Sequence, residues 1–125
     1  FAPEDRHLCV RDGAFVQLSA SAPEFGMRPA VACLFRSLAS VAPASTVAIL
    51  LTGMGVDGAA ELQRLRAGGA LTIAQDRNSA AVYGMPGEAI RLDAATHIMN
   101  PDEIGAFLGQ MAGANAVVGQ RHEEP

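Results

Sequence analysis

The chain has 125 residues, a length typical of one domain, and half of its residues are hydrophobic while only 18% are charged. This composition excludes an intrinsically disordered chain. Tryptophan is absent and aromatic residues make up 5%, so we expect an aliphatic core and no base- or sugar-stacking platform. Nine arginines face 13 acidic residues, giving a net charge of -4 without a basic block. A nucleic-acid partner or an anionic membrane surface is therefore disfavoured.

The apolar runs, the cysteines and the start of the chain further limit the class of protein. The longest apolar runs, residues 30–35 and 47–51, are far shorter than the roughly 20 residues of a membrane-spanning helix, so no membrane insertion is expected. Cys9 and Cys33 form no C-x-x-C pair. Two reduced, buried thiols are expected, with a disulfide left open. The chain begins at Phe1 without a signal peptide, and we expect it to be a piece of a longer protein.

The first third of the chain predicts a hairpin followed by a helix. Residues 7–10 and 15–18 are short and β-prone, and an Asp-Gly pair lies in the predicted turn at residues 11–14. Apolar residues then recur at helical spacing over residues 28–41, with Pro29 in the first helical turn.

The middle of the chain predicts a β-α-β unit. Residues 47–51 form a continuous aliphatic run typical of a buried parallel strand. A short helix is predicted at residues 57–67, ended by two glycines, and a second buried strand at residues 71–74. Two strands and a helix in about thirty residues predict a right-handed crossover and the α/β class.

The last third predicts a helix at residues 87–92, a strand at 97–99 and a helix at 101–111 capped by Asn100. We expect one unit, ordered over residues 1–112, with a frayed tail at 113–125. The predicted fold is a doubly wound, mainly parallel sheet with helices on both faces and an N-terminal β-hairpin.

The densest motif lies between the first buried strand and its helix. Gly53, Gly55 and Gly58 satisfy G-x-G-x-x-G, and Asp76 follows 18 residues after Gly58, as in a dinucleotide-binding fingerprint. Asp57 weakens this interpretation, because it would bring a carboxylate to a loop meant for phosphates. The alternative is that the glycines serve tight packing and that Asp57 complements a helix dipole.

A resemblance rests on longer strings. The segment VAILLTGMGVDGAAELQRLRAGGALTIAQD, followed by VYGMP, resembles the catalytic domain of the chemotaxis protein-glutamate methylesterases, the CheB family. APEDRHL, RPAVACLFRSLA and PDEIGAFL have counterparts in the same family. The resemblance extends over roughly residues 2–108 and identifies the chain as the C-terminal part of that domain.

The resemblance implies a cytoplasmic serine hydrolase of two-component, phosphorelay signalling. It would remove methyl groups from γ-glutamyl methyl esters of chemoreceptor cytoplasmic domains and release methanol, without a cofactor. It implies that Asp57 completes a Ser-His-Asp triad by orienting the histidine. Gly53, Met54, Gly55 and Gly58 would form the active-site loop, with the backbone near Gly53 and Met54 close to the oxyanion.

Departures from the family pattern limit what this chain can do alone. The nucleophilic serine and its histidine lie upstream of the region that Phe1 resembles, and no serine here lies in a strand-to-helix elbow. We therefore expect an incomplete domain that is inactive alone and self-associates through an exposed sheet edge. Its missing partner would be the N-terminal part of the same protein; a receiver domain is usual in the family, and its presence here is left open. Arg77 and Asn78 replace an acid and a small residue, and Gly87 replaces a basic residue.

Two further site candidates are secondary. His7 matches a family histidine on the active-site side, and Tyr83 lies in a loop typical of the family; a structural role is the alternative for each. His97 and His122 have no acid or thiol at ligand spacing, so no metal site is expected. Two other functions stay open: a non-catalytic interaction module of the same fold, and a dinucleotide-binding half-domain.

Overall fold

A computed structural model describes the backbone of residues 1–12 and 15–123 and the side chains of residues 1–12 and 15–113. The elements in chain order are β1 (His7–Arg11), β2 (Phe15–Ser19), α1 (Val31–Val41), a 3₁₀ turn (Pro43–Ser45), β3 (Val47–Leu50), α2 (Ala59–Ala67), β4 (Leu71–Gln75), α3 (Met85–Arg91), β5 (His97–Met99) and α4 (Pro101–Glu123).

The predicted N-terminal hairpin is confirmed. Strands β1 and β2 are antiparallel, with His7 opposite Ser19. Gly13 and Ala14 of the predicted turn lie outside the described residues. Strand β1 packs against α1, where the Val10 N–H donates to Ser37 Oγ at 2.9 Å. Most side chains of β2 are exposed, so the hairpin is held to the domain through β1.

Helix α1 begins later than the sequence predicts. Pro29 was placed in the first helical turn, but the helix starts at Val31 and its N-cap, Ala30, is extended. The prediction was wrong because Ala30 is extended, with its N–H bonded to His7 Nδ1, and the first helical N–H groups are bound by Asp57 from a distant loop. The predicted end at Val41 is confirmed, two residues before Pro43.

The main sheet has three parallel strands in the order β3-β4-β5. Val47 lies opposite Leu71, and Ile73 lies opposite His97. Helices α2 and α3 both pack against β4 and contact each other, so they share one face of the sheet. The β-α-β unit, the α/β class and the mainly parallel sheet are therefore confirmed.

The core is aliphatic, as the composition predicts. Its largest fully buried apolar side chains are Leu50, Leu62, Leu65 and Ile73, and alanines fill much of the rest. Burying one such large side chain contributes about 1.5–3 kcal/mol. The small side chains allow α1, α2 and the sheet to approach closely.

The C-terminal helices differ from prediction mainly in their ends. Helix α3 begins at Met85 rather than at Gly87, because Pro86 fits the first helical turn. Asn100 caps α4 as predicted: its side-chain oxygen accepts the Glu103 N–H at 2.8 Å, and the Glu103 carboxylate accepts the Asn100 N–H at 3.1 Å.

The predicted end of the last helix, Met111, is wrong for the described backbone, since α4 continues to Glu123. Alanines favour helix, and no proline interrupts the chain before Pro125. No helix in the described part of the chain is long and apolar enough to cross a membrane.

Candidate active site

The loop at residues 51–58 joins β3 to α2 at the carboxyl edge of the sheet. The neighbouring strand β4 ends at the same edge, and residues 76–84 leave from it toward α3. Ligands of parallel α/β sheets bind at this edge, where loops from adjacent strands meet. The sequence motif and the fold therefore point to the same place.

Asp57 is buried at the end of this loop, with 2% of its surface exposed. Its Oδ2 accepts the Val31 N–H at 2.7 Å and its Oδ1 accepts the Ala32 N–H at 2.8 Å. The carboxylate thus caps the N-terminus of α1, whose own N-cap residue, Ala30, supplies no side-chain hydrogen bond. Both oxygens are held in place, and each keeps a second lone pair for another donor.

Backbone geometry and packing explain the glycines of the loop. Gly58 has φ +85°, and a Cβ there would lie 2.6 Å from Val31 Cγ1. Gly55 has φ +77° in open space, and a Cβ at Gly53 would lie 2.5 Å from Met85 Sδ. Left-handed backbone and close contact both favour glycine. Backbone conformation and packing therefore account for these glycines without a phosphate-binding role.

Asp76, the ribose-binding residue of the dinucleotide interpretation, has a local partner. Its Oδ1 accepts hydrogen bonds from the Ser79 N–H, at 3.1 Å, and from the Ser79 hydroxyl. This is a loop-closing arrangement of the kind that aspartate commonly forms. Together with the packing of the glycines, it leaves the dinucleotide interpretation without a specific supporting observation.

Thr52 joins the loop to the segment before α3. Its hydroxyl donates to the Val82 carbonyl at 2.9 Å and accepts the Val82 N–H at 2.8 Å. The Gly53 N–H donates to the same carbonyl, and the Gly53 carbonyl accepts the N–H groups of Gly84 and Met85. Two separate loops are thereby fixed as one surface. The glycine motif did not single out Thr52, although a threonine directly after an aliphatic strand is a signal for such a role.

Gln75 supports this surface from below. Only 4% of its surface is exposed, and its Oε1 accepts the Thr52 N–H at 2.8 Å. Its Nε2 donates to Ser79 Oγ at 3.1 Å. The sequence analysis missed Gln75. The signal was a glutamine closing a strand whose other residues are mostly apolar, since a buried amide must find partners.

Exposed apolar side chains surround the loop. Met54 is 76% exposed, and Leu51, Val56 and Val82 are also largely exposed. Tyr83 is half-buried and forms an isolated parallel bridge with Gly53, so its position relative to the loop is fixed by the backbone. Apolar groups gathered on one edge indicate a surface that contacts something else.

His7 is fully buried and lies at the N-terminus of α1, next to the residues whose N–H groups Asp57 binds. Its Nδ1 accepts the Ala30 N–H at 3.1 Å, and its Nε2 donates to the Ala22 carbonyl at 2.9 Å. Both ring nitrogens are therefore engaged with the backbone, which also defines the tautomer. These bonds favour the structural role that is the alternative for His7.

A cluster that the sequence analysis did not expect lies beside His7. Ligand-type atoms of His7, Glu24 and Cys33 lie within 4.8 Å of one another. The three residues are far apart in sequence, so no spacing motif reveals them. Because each nitrogen of His7 already bonds to the backbone, a metal ion could reach the ring only by displacing one of those bonds. The cluster is better explained by its own hydrogen bonds.

Arg36 completes this cluster. It donates to Glu24 at 2.5 Å and 3.1 Å, and Cys33 Sγ donates to Glu24 Oε2 at 2.5 Å. The guanidinium, then the thiol, lower the pKa of Glu24. Burial, followed by the Glu24 hydrogen bond, raises the pKa of the Cys33 thiol to about 12. Both cysteines are free, and Cys9 is half-buried rather than buried as predicted.

Among the described side chains, no serine or histidine bonds to Asp57. Its hydrogen-bond partners are the backbone groups of α1. Ser37 bonds to Val10 and Leu34, and Ser79 bonds to Asp76 and Gln75. The described residues thus offer a fixed carboxylate beside an exposed loop, without a nucleophile and base joined to it.

Comparison with known proteins gives this site its context. The CheB methylesterase family model matches residues 1–108. The chain is 52% identical over 112 residues to protein-glutamate methylesterase/protein-glutamine glutaminase 4 of Geobacter metallireducens, covering 89% of this chain and 32% of that protein. It is 42% identical over 115 residues to the corresponding protein 1 of Syntrophus aciditrophicus, covering 92% and 33%.

A solved structure with a similar fold comes from the same family. The CheB methylesterase catalytic domain of Thermotoga maritima superposes with a TM-score of 0.82 at 29% identity, covering 87% of this chain and 59% of that one. The chain thus spans about a third of the curated relatives and a little over half of the solved catalytic domain.

Proposed function

The chain belongs to the CheB methylesterase family, and on that basis we propose that it is the C-terminal part of a catalytic domain that hydrolyses glutamyl γ-methyl esters on chemoreceptors. The observation that carries the proposal is the buried Asp57 carboxylate, fixed by two backbone N–H groups at the carboxyl edge of the sheet. A triad acid must be held rigidly in this way, because its task is to orient a histidine.

In the proposed reaction, Asp57 accepts the Nδ1–H of a histidine supplied by the rest of the domain. That histidine takes the proton of a serine hydroxyl as the serine oxygen attacks the γ-carbonyl carbon. The histidine then gives the proton to the departing methoxide, and methanol leaves. Water, deprotonated by the same histidine, attacks the acyl-enzyme; the histidine returns that proton to the departing serine oxygen, which releases the glutamate carboxylate and the free serine.

The loop would contribute in two ways. The backbone around Gly53 and Met54 would lie near the developing oxyanion, as part of the active-site loop with Gly55 and Gly58. The exposed side chains of Leu51, Met54 and Val56 would contact the remainder of the domain or the receptor. The names of the relatives pair methylesterase with glutaminase, and a glutamine side chain presents the same γ-carbonyl, with ammonia as the leaving group.

Three proteins test the proposal: this chain, the chain extended upstream to include the serine and histidine, and the extended chain carrying Asp57→Ala. Methanol release from methyl-esterified chemoreceptor is the measurement. We expect activity only in the extended form and a loss of about 10³–10⁴-fold on substitution of Asp57. The short chain should release no methanol, because it lacks the attacking atom.

Ser37→Ala in the extended protein is the matched control, since it also removes a hydrogen bond to α1 but lies on the hairpin side of that helix. It should retain activity. Full activity of a folded Asp57→Ala protein would contradict the role of Asp57. No methanol release by the extended form would contradict the methylesterase proposal and favour a non-catalytic interaction module.

A further inference from the structure

Arg77 lies at the same edge of the sheet as Asp57. It follows directly after Asp76 at the end of β4, its side chain is exposed, and its guanidinium carbon lies 5.8 Å from the centroid of the Tyr83 ring. A guanidinium at this distance over an aromatic face is attracted to the ring. Among the described side chains, no carboxylate lies within 4.0 Å of Arg77.

The ring beneath Arg77 belongs to a residue whose backbone is fixed, and it lies against Gly87. Tyr83 is bridged through its backbone to Gly53 of the loop. A Cβ at Gly87 would lie 2.9 Å from Cδ2 and 3.0 Å from Cε2 of the ring, so the ring occupies the space that a side chain at position 87 would fill. The absence of that side chain thus creates the platform on which Arg77 rests.

This arrangement places a positive charge at the same edge of the sheet as the proposed reaction. The carboxyl ends of β3 and β4 are adjacent, the first leading into the Asp57 loop and the second into Arg77. The hydrogen bonds between Thr52 and Val82 keep the two loops in one surface. A guanidinium that rests on a ring loses less freedom when it binds an anion than a free one does.

We propose that Arg77 is a positioning residue that binds a carboxylate of the substrate protein next to the glutamyl ester. This inference rests on the proposed function. A planar guanidinium matches a carboxylate, with two parallel N–H···O bonds. Each ester that is hydrolysed leaves a glutamate, so a substrate with several ester sites gains carboxylates beside those that remain. Arg77 would therefore favour partly hydrolysed substrates over fully esterified ones.

The test compares two peptides with the extended enzyme. Each carries one glutamyl γ-methyl ester, flanked by glutamates in the first peptide and by alanines in the second. Alanine is chosen because a glutamine flank could itself be hydrolysed. For Arg77→Gln, we expect KM for the glutamate-flanked peptide to rise about three- to tenfold. The kcat for both peptides and the KM for the alanine-flanked peptide should change little. Arg77→Lys should show a smaller rise.

Arg64→Gln is the matched control. It removes the same charge from an exposed arginine in the last turn of α2, at the opposite edge of the sheet, and should change neither KM. Gly87→Ala is a second test, because it keeps the charge of Arg77 but displaces the ring. It should also reduce the preference for the glutamate-flanked peptide.

The outcomes separate the two proposals. If the unsubstituted enzyme hydrolyses neither peptide nor methylated receptor, the proposed function fails and this inference with it. If the enzyme is active but Arg77→Gln leaves both KM values unchanged, or raises both equally, the inference is overturned while the proposed function stands. A rise in KM for the glutamate-flanked peptide alone, seen in Arg77→Gln and absent in Arg64→Gln, supports the inference.

Discussion

His7 and Asp57 share the N-terminus of α1. The ring of His7 accepts the N–H of Ala30, and the carboxylate of Asp57 accepts the N–H groups of Val31 and Ala32. Three consecutive donors are thus satisfied by side chains from the hairpin and from the loop after β3. The helix end acts as the common anchor of both elements, so a substitution at either residue affects the position of the other's element.

Asp57→Ala should lower stability as well as activity. Two backbone N–H groups at the start of α1 would lose their acceptor, one of them in a fully buried residue. We expect the free energy of unfolding of the extended domain to fall by about 1–3 kcal/mol. Urea unfolding measures this. Asp102→Ala, which removes an exposed acid from the first turn of α4, should change it by less than about 1 kcal/mol. Equal effects would contradict the capping role.

Gly58 and Gly55 allow conformational strain to be separated from steric contact. Both have left-handed backbone, but only at Gly58 would a Cβ meet another side chain, Val31. Gly55→Ala should cost about 1–2 kcal/mol from backbone conformation alone, and Gly58→Ala clearly more. Adding Val31→Ala should recover part of the Gly58→Ala loss. Urea unfolding of the three variants checks this, and an equal cost at the two glycines would contradict the contact.

The sequence predicted the elements whose signals are local. The aliphatic run at β3, the two glycines after α2 and the cap at Asn100 each depend on neighbouring residues, and all are confirmed in the structure. The start of α1 was missed because the groups that satisfy its first N–H donors come from His7 and Asp57, distant in sequence. Local pattern carries no information about such partners.

The same limit applies to the site. The motif locates Asp57, but it does not predict that the carboxylate binds the N-terminus of α1 in this part of the chain. Arg77 and Gly87 are separate departures from the family pattern in the sequence, yet in the structure both adjoin Tyr83. The guanidinium of Arg77 lies over the ring, and a side chain at Gly87 would collide with it. The Glu24, Cys33 and Arg36 contacts could not be predicted, because long-range packing alone brings them together.

The buried thiol of Cys33 should make the free energy of unfolding fall at alkaline pH. Burial, then Glu24, raises the pKa of its thiol from an ordinary 9.0 to about 12. Below pH 9 the thiol is protonated in both states. Between pH 9 and 12 the unfolded chain releases this proton while the folded chain keeps it, so unfolding is increasingly favoured. The decline should be smaller in Cys33→Ala and persist in Cys9→Ala. Urea unfolding at pH 8 and pH 10.5 tests this, and an equal decline in all three proteins would contradict it.

The isolated chain should self-associate. It spans 59% of the solved catalytic domain that it resembles, so surfaces that the rest of such a domain would contact lie open. Strand β2 also exposes apolar side chains: Phe15 is 70% exposed, Val16 65% and Leu18 51%, and among the described strands β2 pairs only with β1. An exposed apolar edge strand pairs readily with another copy. Sedimentation velocity over a tenfold concentration range should show concentration-dependent association. Replacing Val16 and Leu18 by lysine should weaken it, whereas Arg64→Gln should not. A monomer with cooperative unfolding at all concentrations would contradict the prediction.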